Sequence, residues 1–82
     1  MKTRRSPIRV RAEWDEEARI WVAEGTNLAG LVTEAETVEL LLDKLRIMAP
    51  ELLSYSPDLA SGFRPEIRVT LVRRDAIDLV AA

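Results

Sequence analysis

The chain has 82 residues, 48% hydrophobic and 32% charged, with a formal net charge of -2, which is enough for a single core in a single domain. It contains neither cysteine nor histidine, so disulfides, thiolate nucleophiles, imidazole acid–base catalysis and nearly every transition-metal site are excluded. No run approaches the length of a membrane span, and the opening MKTRRSPIRV lacks a signal-peptide apolar core, so a cytoplasmic protein is expected.

From Ile8 the sequence alternates, with Ile8, Val10, Ala12 and Trp14 on one side and Arg9, Arg11 and Glu13 on the other. Period two predicts a half-buried strand. A polar turn, Asp15 to Ala18, leads to a second strand over Arg19–Ala23, and so short a link predicts an antiparallel hairpin. Three adjacent apolar positions leave open whether Trp21 or the Ile20/Val22 pair faces the core.

The stretch Gly25 to Gly30 reads as a tight corner, followed by a short strand at Leu31–Thr33. It is no phosphate loop: the G-x-G-x-x-G spacing is missing, the loop runs into a strand, and Glu34, Glu36 and Glu39 would repel an anion. Glycine's tolerance of positive φ explains it, and nothing bound is expected there. Thr37 is a good N-cap for a helix from Val38 to about Ala49. Its apolar stripe is Val38, Leu41, Leu42, Leu45 and Ala49, extended to Leu52. Pro50 cannot donate to the Arg46 carbonyl, so the helix should end or kink there, with a short turn to Leu53 after it.

Residues 54–65 form an irregular connection, with Tyr55 and Phe63 best suited to pin it to the body. Ile67, Val69 and Leu71 then alternate with Arg68, Thr70 and Val72 in a fourth strand. The order β-β-β-α-β predicts an α+β fold: a mixed four-stranded sheet ordered 3-2-1-4, one helix on one face, and a right-handed crossover joining the last strand parallel to the first. One domain spans 1–82, with its core at about 7–73 and an apolar tail at 74–82.

The run WDEEARIWVAEGTNLAGLVTEAETVELLLDKL, Trp14 to Leu45, resembles the core of HicB-like antitoxin domains and a related uncharacterised bacterial family. An acidic hairpin turn leads to an aromatic-bearing strand. A corner at Asn27–Gly30, a strand ending in Thr33-Glu34 and a helix capped by Thr37 follow. Asn27 stands where that pattern usually has Asp, Ala29 where it has Pro, and Leu31 where Cys is frequent. The resemblance implies a partial RNase H-like fold and a non-enzymatic role, binding and masking a small RNA-cleaving toxin. Many such domains add a DNA-binding segment at the C-terminus; the eleven residues after Leu71 are too few for one, so operator binding is not expected of this chain.

Metal-dependent nuclease chemistry would need carboxylates converging from the first strand, the fourth strand and the helix. The first offers Ile8, Val10 and Ala12, the fourth only Glu66 at its start, and Glu39 and Asp43 lie off the helix stripe. No catalytic, metal or cofactor site is therefore expected. Arg9, Arg11 and Arg68, preceded by Arg4 and Arg5, share the helix-free face. They offer a nucleic-acid or acidic-partner surface, or cross-strand ion pairs with Glu13 and Glu66. Leu40 and Ile47, seven apart, stand opposite the core stripe. With Trp21 and the tail residues Ile77, Leu79 and Val80 they are the candidate interface, and a homo-oligomer using the helix edge, the tail or an edge strand is expected, an orphan oligomeric structural domain being the remaining alternative to a toxin-binding or nucleic-acid-binding role.

Overall fold

A computed structural model describes residues 7–55 and 65–80. Lys2, Arg4, Arg5, Phe63 and Arg64, and most of the 54–65 connection, lie outside them. The elements are β1 (Ile8–Asp15), β2 (Ile20–Gly25), β3 (Val32–Ala35), α1 (Val38–Leu53) and β4 (Ile67–Val72). The sheet order is β3-β2-β1-β4, with β1 antiparallel to β2 and parallel to β4, as the sequence predicts. The register aligns Leu71, Ala12, Ala23 and Thr33 in one row and Trp14, Trp21 and Ala35 in another. These rows and their neighbours Ile8, Val10, Ile67 and Val69 form the face beneath the helix.

Ala12 and Ala23 are completely buried in the middle of this face, and Leu41 and Leu45 of α1 are buried above them. Two methyl-sized residues side by side leave room for the helix to seat its leucines on the sheet. Trp21 is in the core, which settles the choice the sequence left open: Val22 is exposed and Ile20 only half-buried. Trp14 meets Trp21 edge-to-face at 5.4 Å between ring centroids and closes one end of the core. Its indole Nε1 donates to Glu16 Oε1 at 2.7 Å, so the only polar atom of the ring is satisfied at the surface.

Three boundaries differ from the sequence reading. Arg19 belongs to the hairpin turn, with φ 61, and its N–H donates to the Asp15 carbonyl; the left-handed residue closes the turn before β2 begins. The third strand starts one residue later, at Val32, and reaches Ala35, while Leu31 is buried in the core just before it. The helix neither stops nor restarts at Pro50 but continues to Leu53. Pro50 and Arg46 are both exposed, so the carbonyl that loses its donor lies on the solvent side of the helix. The extra turn packs Leu52 and Leu53 against the core, and a Cβ on Gly30 (φ +88) would approach Leu52 Cδ2 to 3.3 Å. Tyr55 is 86% exposed and pins nothing.

The glycine-bracketed corner does hold something: the start of the first strand. The Asn27 side chain accepts from the Arg9 N–H at 2.8 Å and donates through Nδ2 to the Pro7 carbonyl at 2.9 Å. The Thr26 N–H donates to the Arg9 carbonyl at 2.8 Å. A side-chain amide thereby continues the β1–β2 ladder past the end of β2, presenting a donor and an acceptor as a backbone unit would. A Cβ on Gly25 would lie only 3.0 Å from the Leu28 carbonyl oxygen, so the corner is tight at its root.

Two stability measurements check this account. Asn27→Asp keeps the acceptor but sets a carboxylate against the Pro7 carbonyl; it should cost about 1 kcal/mol in urea unfolding, as should Asn27→Ala. Pro50→Ala should stabilise by roughly 1–3 kcal/mol, because the restored N–H can reach the Arg46 carbonyl without disturbing the core.

Candidate interaction surfaces

The helix and the short edge strand meet along a shallow apolar depression. Leu40 and Ile47 project from α1 at 50% and 71% exposure, and Ile20 from β2 lines the same hollow with Ala35. Glu34, Glu36 and Asp43 stand round it. The one cation lining it, Lys44, is engaged: its Nζ donates to the Glu34 carbonyl at 2.7 Å. Asp43 also receives Arg46 Nη1 at 2.6 Å, an exposed pair of small energetic weight. The result is an apolar centre with a mainly acidic rim.

The sequence placed Leu40 and Ile47 on this side of the helix, and the structure brings them together. It does not bring Trp21 to them. Trp21 is 8% exposed beneath the helix, because its register partner Trp14 and its neighbour Ala35 turn the same way. Ile20, Glu34 and Glu36 were not among the sequence-predicted interface residues; the hollow that gathers them with Leu40 and Ile47 forms only where β2 and β3 meet the helix. Ile77, Leu79 and Val80 are 80%, 91% and 90% exposed in a segment without regular secondary structure after β4.

On the helix-free face, Arg9 and Arg68 are direct neighbours across the β1–β4 ladder, and Arg11 stands beside Thr70. Arg11 pairs with Glu13 at 2.8 Å and Arg68 with Glu66 at 3.2 Å, both along their own strands. The glutamates therefore neutralise neighbours within a strand, where the sequence reading looked for cross-strand pairs. The face also carries Val22, Val32 and Glu24, so the basic patch is confined to one corner. Among the described residues, no group of three acidic side chains is gathered closely enough to hold a metal ion, and no helix is long and apolar enough to cross a membrane.

Residues 7–77 match the family described as "Domain of unknown function (DUF1902)". The chain belongs to the DUF1902 family. It is also similar to the crystal structure of hypothetical protein TTHA1013 from the extremely thermophilic bacterium Thermus thermophilus. That likeness has a TM-score of 0.62 and 37% sequence identity, over 89% of this chain and 99% of that one. No match was found among curated proteins. This DUF1902 chain thus presents two contrasting surfaces, an acid-rimmed apolar hollow beside α1 and an arginine corner on the bare sheet.

Core and surface assignments separate under mutation. Trp21→Ala should lower the unfolding free energy by about 3–5 kcal/mol, whereas Leu40→Glu and Ile47→Glu should change it by no more than about 0.5 kcal/mol. Urea titrations followed by circular dichroism measure both.

Proposed function

We propose that this DUF1902 chain is a non-enzymatic, HicB-like binding module that masks a small, basic, RNA-cleaving protein. The carrying observation is the hollow formed by Leu40, Ile47 and Ile20 with Glu34, Glu36 and Asp43 on its rim. An apolar centre supplies contact energy, and an acidic rim selects a positively charged partner and speeds its approach. A protein that grips RNA must be basic to neutralise phosphates, so it has the complementary sign. The resemblance of Trp14–Leu45 to HicB-like domains points to the same class of partner. The work asked of this chain is surface contact, which requires none of the imidazole or thiol chemistry it lacks.

The rival reading uses the arginine corner to bind nucleic acid. It is favoured by one observation, the adjacency of Arg9 and Arg68 in the register. It is opposed by the in-strand pairing of Arg11 and Arg68 with glutamates and by the absence of an exposed aromatic on the described part of that face, where bases would stack.

The decisive experiment is co-expression with the product of a small adjacent reading frame that is basic and carries a histidine. The two proteins should co-purify, and RNA cleavage by the partner should be suppressed. Leu40→Glu and Ile47→Glu should each weaken binding by more than about 30-fold in calorimetry. Undiminished binding by both variants would remove the hollow from the account. Salt-sensitive RNA or DNA binding, lost on replacing Arg9 and Arg11 by alanine, would establish the rival instead.

A further inference from the structure

The two borders of the sheet are finished differently. Along β3, ladder pairing of Gly25 with Leu31 and the β2–β3 register turn the backbone groups of Val32 and Glu34 outward. Two of these are occupied internally: the Val32 N–H donates to the Gly30 carbonyl at 3.0 Å, and the Glu34 carbonyl accepts from Lys44 Nζ at 2.7 Å. Along β4 the Ile8 N–H donates to the Glu66 carbonyl. The even-numbered residues of that strand therefore face β1, and the N–H and C=O groups of Ile67, Val69 and Leu71 face outward. No described segment pairs with them. An uncovered row of donors and acceptors is a template for another strand.

We infer that β4 pairs antiparallel with β4 of a second copy of this chain about a two-fold axis at Val69, and that the exposed tail completes the contact. The outward-facing residues set the register. Val69 exchanges hydrogen bonds with its own counterpart, and Ile67 pairs with the partner's Leu71. The side chains of Ile67, Val69 and Leu71 all point to the helix face, where Leu71 is 43% exposed in the single chain. Pairing sets that leucine beside Ile67 of the neighbour, at the mouth of the mainly apolar groove lined by Ile8, Ala49, Pro50, Leu53, Pro65 and Ile67, with Arg46 at its side. On the bare face Arg68 falls opposite Thr70 and Glu66 opposite Val72, so no two like charges meet directly.

Antiparallel pairing also brings the end of one β4 to the beginning of the other. A six-residue edge is only about 20 Å long and by itself falls short of the ~800 Å² that each partner contributes to a standard stable interface. The tail leaves β4 at that point carrying Ile77, Leu79 and Val80, all at least 80% exposed, and in the pair it would supply apolar surface for the partner's groove. A second copy is thus the occupant whose chemistry fits both the groove and the edge. This inference stands apart from the toxin-masking proposal, which uses the opposite side of α1 and β3.

Hydrogen exchange on the 82-residue wild-type chain tests it directly. At tens of micromolar the mass in solution should be twice 9.3 kDa. The amides of Ile67, Val69 and Leu71 should then be protected to the same degree as those of Arg68 and Thr70, which face β1. Dilution should release the first set before the second. Leu71→Lys and Val69→Pro should yield monomers with an unchanged circular dichroism spectrum, while Leu40→Glu stays dimeric. If Val69→Pro fails to fold, Leu71→Lys and the exchange pattern decide. A monomeric wild type, rapid exchange at Val69 beside protected Arg68 and Thr70, or a dimer that a folded Leu71→Lys leaves intact would overturn the inference.

Discussion

The fold rests on the contact between the helix stripe and a pair of alanines. Leu41 and Leu45 are fully buried because Ala12 and Ala23, side by side in the central strands, leave room for them. Larger residues at either position would lift α1 from the sheet and open the space that Trp21, Leu31 and Ala49 now fill. Everything useful at the surface is referred to this seating. It fixes which side of α1 is left for Leu40 and Ile47, how far the helix overhangs β3, and why a groove remains between its last turns and β4.

Much of this was legible in the residues. Alternation in Ile8–Trp14 and Ile67–Val72, the helical spacing of Leu41, Leu45 and Ala49, and the Thr37 cap, whose Oγ1 accepts from the Leu40 N–H at 3.1 Å, are local signals. Together with crossover handedness they led to the sheet order. What was not legible depends on partners distant in sequence. Trp21 could not be assigned to a face until Trp14 and Ala35 were known to lie beside it. Pro50 looked like a stop because a missing N–H is a local fact, whereas the gain from seating Leu52 and Leu53 is a tertiary one.

The same distinction applies to the candidate surfaces. Leu40 and Ile47 stand out in the sequence because they break the amphipathic pattern. The acidic groups around them come largely from a different element and emerge only once β3 is placed against α1. The Asn27 clamp is a related case: a departure from the usual residue of the HicB-like pattern acquires a reason in the Pro7 carbonyl, which requires a donor and which an aspartate would leave unmet.

The lysine fastened across the outer strand sets a limit on growth. Sheets that can accept a new neighbour on both flanks propagate into fibres. Here two of the four outward groups of β3 are taken by the protein's own ammonium group and a local turn hydrogen bond, so that flank offers an incoming strand only half a ladder. The β4 pairing inferred above would consume the opposite flank, which favours a closed pair over continued growth.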